Sequence, residues 1–274
     1  MSSNKPTKAY NNHSFLNSPD ARTLRILAEY LEPFQRLRRQ KIMDTIVFFG
    51  SARLRSRADA EANRSAILSA VQNSPKTPSK ALLEDLQAAE VLLAQSRYYE
   101  DAVELSRLLS AWSLSLKVKN RFVICSGGGP GIMEAANKGA HLAGAKSVGL
   151  NISLPFEQYA NRYIPPELNI EFHYFFMRKF WFIYPAKALV VFPGGFGTMD
   201  ELFEVLTLVQ TQKLRKSVDI VLFGSEFWHK IFNFEALVDT CLISRDDLDL
   251  FKICDTPKEA FTYLKRRLTD RYLK

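Results

Sequence analysis

The chain has 274 residues, 47% hydrophobic and 24% charged, which suits one large α/β domain or two small ones and excludes disordered, fibrous and collagen-like classes. No apolar run reaches membrane-span length, the polar start MSSNKPTKAYNNHSF lacks the apolar segment of a secretory signal, and Cys125, Cys241 and Cys254 form no CxxC pair, so a reducing, cytoplasmic setting without membrane is expected. The net charge of +8 is uneven: residues 1–44 hold eight Lys/Arg and four Asp/Glu, densest at Arg36-Leu37-Arg38-Arg39-Gln40-Lys41, which reads as a solvated face and not as a nucleic-acid patch.

Residues 21–41 have Leu24, Leu27, Ala28 and Leu31 at helical spacing and predict an amphipathic helix. With the polar residues before it, this makes an N-terminal helical extension over 1–44, leaving a main domain over 45–274. Thr45–Phe49 reads as a buried strand running into Gly50-Ser51-Ala52-Arg53. A polar helix follows, then a break at Asn73-Ser74-Pro75-Lys76-Thr77-Pro78. Residues 80–116 predict one long helix or two in succession. Strands are then expected at Arg121–Cys125, Ser147–Ile152, Glu171–Phe176, Ala188–Phe192, Val218–Phe223 and Phe251–Cys254. Helices are expected at Gly131–Leu142, through Lys179 and Phe182, at Thr198–Thr211, over 227–240 and at Pro257–Tyr272. Unbroken apolar strands that alternate with helices predict an α/β fold, a Rossmann-like doubly wound parallel sheet with helices on both faces.

Three of the strand-to-helix turns are rich in small residues: Gly50-Ser51-Ala52, Ser126-Gly127-Gly128-Gly129-Pro130-Gly131 and Pro193-Gly194-Gly195-Phe196-Gly197-Thr198. Glycine lets a ligand approach the backbone, and the helix that follows directs free N–H groups and its positive dipole end at that space. Such turns on one sheet edge suit a phosphate, although each alone permits a tight turn. The P-loop pattern is missing, and Ile132 stands where a third dinucleotide glycine would fall. His13, His141, His173 and His229 have no ligand spacing among themselves or with the cysteines, so no metal is expected. Beyond the last glycine turn, Thr198-Met199-Asp200-Glu201 fits an S/T-x-x-E capping box, in which Thr198 caps the helix and Glu201 reaches back to its backbone.

The stretch from Pro193 to Glu201 also matches the PGGxGTxxE signature of the LOG ("Lonely Guy") family, cytokinin riboside 5′-monophosphate phosphoribohydrolases often misnamed lysine decarboxylases. Met177-Arg178-Lys179 resembles the family's upstream Arg-Lys motif at the family's spacing, and the run from Ser126 to Asn137 resembles the glycine-rich turn of its longer members. The similarity spans residues 45–255. Phe180-Trp181-Phe182 replaces the methionine usual in short plant-type members, Asp200 stands where they commonly have Glu, and residues 54–116 exceed the short form. The chain therefore resembles the longer bacterial branch.

That resemblance implies hydrolysis of an N-glycosidic bond in AMP-like or cytokinin nucleotides, without cofactor or metal, by a homodimer or higher homo-oligomer. It assigns Glu201 and Arg178 as catalytic residues. Substrate contacts would come from Ser51, Gly128, Gly129, Lys179, Gly194, Gly195, Phe196, Gly197, Thr198, Asp200 and Thr207. A non-catalytic carrier of a phosphorylated ligand, similar to molybdenum-cofactor carriers, is the alternative, and would leave Glu201 a capping role. A pyridoxal-phosphate lysine decarboxylase is a third reading, for which no acidic partner of the pyridine nitrogen is evident.

Overall fold

The computed structural model describes residues 6–74, 77–117, 121–155 and 159–273, so part of the break expected at 73–78 lies outside the described residues. Strands β1 (Thr45–Phe49), β2 (Val123–Ser126), β3 (Ser147–Ile152), β4 (Asn169–Phe172), β5 (Ala186–Val191), β6 (Asp219–Phe223) and β7 (Phe251–Cys254) form one sheet. Its order is β4-β3-β2-β1-β5-β6-β7, and every pairing is parallel. The helices are α1 (His13–Leu16), α2 (Arg22–Arg39), α3 (Arg57–Gln72), α4 (Lys80–Gln95), α5 (Arg97–Ser115), α6 (Ile132–Leu142), α7 (Phe175–Ile183), α8 (Phe196–Gln210), α9 (Ser225–Ile231), α10 (Phe234–Asp239) and α11 (Pro257–Tyr272).

The strands are apolar on both sides because both faces are covered. Along β1, Val47 and Phe49 join a core with Leu37 of α2, Trp181 and Phe182 of α7 and Leu202 and Val205 of α8. Ile46 and Phe48 point the other way, into a core with α5, α6 and α11. The fold is the Rossmann-like α/β architecture expected. Sheet order runs outward from β1 to β4, then resumes on the other flank of β1 with β5. In such sheets the crevice beyond the carboxyl ends, where the order reverses, is the natural ligand position. Register places three turns there: Phe48 pairs with Ser126, and Phe49 with Val191. Backbone hydrogen bonds tie the turns together, from Ser51 N–H to the Pro193 carbonyl (3.0 Å) and from Ile132 N–H to the Ser51 carbonyl (3.1 Å).

Several elements differ from the sequence expectation, each through a partner distant in the chain or a local cap. The strand expected at Glu171–Phe176 ends at Phe172, because the Glu29 carboxylate of α2 accepts the N–H groups of His173 (2.8 Å) and Tyr174 (3.2 Å), and α7 then begins at Phe175. The helix expected over 227–240 is two helices. Phe232 is extended, and the Asn233 side chain accepts from Ala236 N–H to start α10. The 80–116 stretch, by contrast, takes one of its two expected forms, two helices in succession, α4 and α5, which meet at Ser96. Helix α2 turns Ile26, Glu29, Pro33 and Leu37 toward the body, while Leu24, Leu27 and Leu31 of the apolar spacing stay exposed. Its docking is fixed by the Trp181 indole N–H, which donates to the Glu29 carbonyl at 2.9 Å. No helix among the described residues is long and apolar enough to cross a membrane.

Helices α5 and α6 approach closely at Gly139, where an added Cβ would lie 2.2 Å from the Val103 carbonyl oxygen and 2.7 Å from Ser106 Cβ. Alanine's better helix propensity returns about 1 kcal/mol, less than overpacking against backbone takes away. Gly139→Ala is expected to lower unfolding stability by at least about 1 kcal/mol net, read from the urea midpoint. An unchanged midpoint would mean that this helix pair is loosely packed.

Candidate active site

The three turns and the start of α7 enclose a cleft of about 330 Å³. Phe49, Ile152, Leu154 and Phe182 give it an apolar side; Ser51, Arg53, Arg178, Thr198, Asp200 and Glu201 give it polar groups.

Glu201 is the most unusual of these. Helix α8 starts at Phe196 with Gly195 as its N-cap and no side-chain cap, and Thr198 N–H donates to the Gly195 carbonyl at 3.0 Å. The capping box at Thr198 and Glu201 is therefore not formed. The helix begins two residues before Thr198, so Glu201 falls in the second turn. It is only 7% exposed, and its Oε2 has no hydrogen-bond partner among the described residues. Burial raises its pKa from 4.5 to about 7, against the lowering influence of Lys179 and Arg178, while Glu204 and Asp200 push it further up. A buried carboxylate with a vacant oxygen is unfavourable for folding and useful for proton transfer near neutral pH.

Arg178 enters the cleft from α7. Its Nε donates to the Leu150 carbonyl at 2.7 Å, and its guanidinium carbon lies 5.0 Å from the centre of the Phe182 ring. Burial lowers its pKa, and the nearby Glu201 charge raises it. Gly127 makes room for it: an added Cβ there would sit 2.5 Å from Arg178 Nη2. Arg178 and Glu201 thus face one cavity, and the nearest cation to the Glu201 carboxylate is Lys179 Nζ at 3.9 Å.

The glycines after β5 fall into two groups. A Cβ on Gly194 would lie 2.1 Å from Thr198 Oγ1, so the fold itself needs a bare residue there. A Cβ on Gly195 or Gly197 would meet no described atom within 4 Å, and neither has a left-handed φ. Both line the cleft.

Of the residues expected at the site, Ser51, Arg178, Gly195, Gly197, Thr198, Asp200 and Glu201 line the cleft. Lys179 does not; it is 15% exposed and ion-paired to carboxylates of α8. Gly128 and Gly129 are buried, with their carbonyls accepting from the Asn161 side chain (3.0 and 3.1 Å). Phe196 is 96% exposed and, with Gly194, borders a neighbouring hollow. Thr207 is exposed two turns along α8, and its hydroxyl donates to the Phe203 carbonyl at 2.7 Å. The structure adds Arg53, Met133 and Phe175 to the lining. Arg53 had a sequence signal, a cation closing the small-residue turn after β1. Phe175 had none, since it was expected in a strand.

Residues 133–264 match a family model described as "Possible lysine decarboxylase". No curated protein matches the chain in sequence. Among solved structures, the molybdenum cofactor carrier protein of Chlamydomonas reinhardtii is 21% identical, with 63% of this chain and 89% of that chain covered and a TM-score of 0.42. Another structure of that algal carrier is 17% identical, covering 83% and 99%, with a TM-score of 0.44. The structural-genomics target TM1055 is 18% identical, covering 82% and 99%, with a TM-score of 0.46. These likenesses concern the fold. The matched segment from 133 to 264 contains α7 and α8, and with them Arg178 and Glu201.

Proposed function

We propose that the protein is a nucleoside 5′-monophosphate N-ribohydrolase, which uses water to split AMP-like or cytokinin nucleotides into free base and ribose 5-phosphate. The observation that carries this reading is Glu201, a buried carboxylate with an unpartnered oxygen, on a cleft that also holds a bare helix N-terminus. The match over 133–264 and the PGGxGTxxE and Arg-Lys patterns support it.

The 5′-phosphate would lie against Gly195 and Gly197, where α8 offers its unused first N–H groups and dipole, with Arg53 beside it. Since no described residue fills the space above these two glycines, a ligand is the simplest reason for their bareness. The base would take the apolar side formed by Ile152, Leu154 and Phe182. As the bond from C1′ to the base nitrogen breaks, its electron pair leaves with the base and positive charge grows on the ribose. The Glu201 carboxylate stabilises that charge and takes a proton from the attacking water, whose oxygen bonds to C1′. Arg178 holds the nucleotide and balances the charge of Glu201. The departing base acquires a proton from solvent.

Lysine decarboxylation does not fit these residues. That chemistry uses a lysine amine in the cleft to carry pyridoxal phosphate, and no described lysine lines this cleft.

AMP should be cleaved, and adenosine at least about a hundredfold less efficiently, because two charge-assisted phosphate bonds of roughly 1.5–3 kcal/mol each exceed the roughly 1.4 kcal/mol per tenfold required. Chromatography should find base and ribose 5-phosphate without inorganic phosphate; equal kcat/KM for AMP and adenosine would remove the phosphate cradle.

Glu201→Gln should abolish base release and also stabilise the fold at pH 8. The folded-state pKa of Glu201, about 7, lies above the ordinary 4.5, so its stability contribution is intact below pH 4.5 and is lost as pH rises through about 7. The neutral amide escapes this loss, worth about 3 kcal/mol at pH 8 and close to nothing at pH 4. Paired melting curves at the two pH values check it. A variant less stable at pH 8, with activity kept, would make the carboxylate structural.

A further inference from the structure

Lys179 follows Arg178 directly on α7, so the two side chains leave the helix about 100° apart. Arg178 turns into the cleft, and Lys179 lies against α8. Its Nζ is 2.8 Å from Asp200 Oδ2, 2.8 Å from Glu204 Oε2 and 3.9 Å from Glu201 Oε1. Asp200 and Glu204 are one turn apart on α8, with Glu201 between them, so one ammonium holds two carboxylates of this helix and faces a third. Lys179 is absent from the cleft lining. A lysine placed for substrate would reach the cavity; this one is saturated by protein carboxylates at its edge.

We propose that Lys179 is a positioning residue: by holding Asp200 and Glu204 and facing Glu201, it fixes the Glu201 carboxylate and favours its charged form, without touching the nucleotide. The proposal rests on the reading of Glu201 as the group that activates water. The charged groups around Glu201 are Lys179 and Arg178 on α7, Asp200 and Glu204 on its own helix, and Arg53, which lines the same cleft from the turn after β1. Among the influences on Glu201, burial is the largest, and Lys179 opposes it more strongly than Arg178. Without Lys179, the negative charges of Asp200 and Glu204 would add to burial and drive Glu201 toward its neutral form.

The test is a carboxyl carbon-13 NMR titration of Glu201 in the full-length protein, assigned by its loss in Glu201→Gln, together with pH profiles of AMP cleavage. Lys179→Met should move the Glu201 midpoint up by about one unit, since an opposite charge at this range lowers a carboxyl by about 1–3 units. From a midpoint of about 7, kcat should then fall roughly fivefold at pH 7 and recover by about pH 9, with KM for AMP unchanged. Lys179→Arg should restore most of the midpoint. Glu204→Gln should move it down, because a negative neighbour is removed while Lys179 stays; this variant decides the question if Lys179→Met does not fold. A Glu201 midpoint unmoved in these variants overturns the proposal, as does a KM raised at every pH by Lys179→Met. The NMR titration decides the hold of Lys179 on Glu201 even if the wild-type protein releases no base, in which case the hydrolase reading alone is lost.

Discussion

Everything at this site turns on one carboxylate held out of water between two cations. Glu201 is buried and, among the described residues, has an unpartnered oxygen; burial raises its pKa to about 7, and Lys179 and Arg178 on the facing helix act against that rise. The facing helix is set in turn by the sheet. Helix α7 follows β4 at the sheet's edge and crosses back to feed β5 beside β1, and that return path brings its cations over the first turns of α8. The Trp181 indole bond to the Glu29 carbonyl, and the Glu29 carboxylate at the start of α7, fix the same helix from its outer side. The N-terminal helix α2 thus bears on the site without lining it.

The bare turns serve two distinct purposes. Gly127 and Gly194 are glycines because protein atoms already occupy the Cβ position, the Arg178 guanidinium in one case and the Thr198 side chain in the other. Gly195 and Gly197 face open space in the cleft. The first pair shapes the site; the second keeps a volume clear above a helix N-terminus. An anion with several acceptor oxygens suits that volume, and the apolar wall opposite suits a flat, weakly polar group. A nucleotide combines the two.

Much of this was legible in the sequence. Unbroken apolar runs such as Thr45–Phe49 and Val218–Phe223 gave away buried parallel strands, and the three small-residue turns marked the ligand edge. Chemistry set by distant partners was not legible. The end of β4 depends on Glu29, more than a hundred residues away in sequence, and the break between α9 and α10 depends on Asn233 winning as a cap over continued helix. The capping-box reading of Thr198 and Glu201 failed because a helix can start on glycine, with Gly195 as N-cap, when its first N–H groups face a cleft. Adjacency in the motif did not show how the two cations divide: Arg178 and Lys179 are neighbours in the chain, yet the helix sends one to the cleft and the other to the carboxylates of α8. Thr207, two turns along α8, carries no cleft contact in this chain.

The central claim is that one cleft seats a 5′-phosphate at the start of α8 while presenting the sugar to Glu201. A crystal structure of the Glu201→Gln variant soaked with AMP tests it most directly. Phosphate oxygens are expected within hydrogen-bonding distance of the Gly195, Phe196 and Gly197 backbone amides, about 2.7–3.2 Å, with C1′ beside the side chain at 201 and the base against Phe182 and Leu154. AMP seated elsewhere, or held with its phosphate away from Gly195 and Gly197, would contradict it.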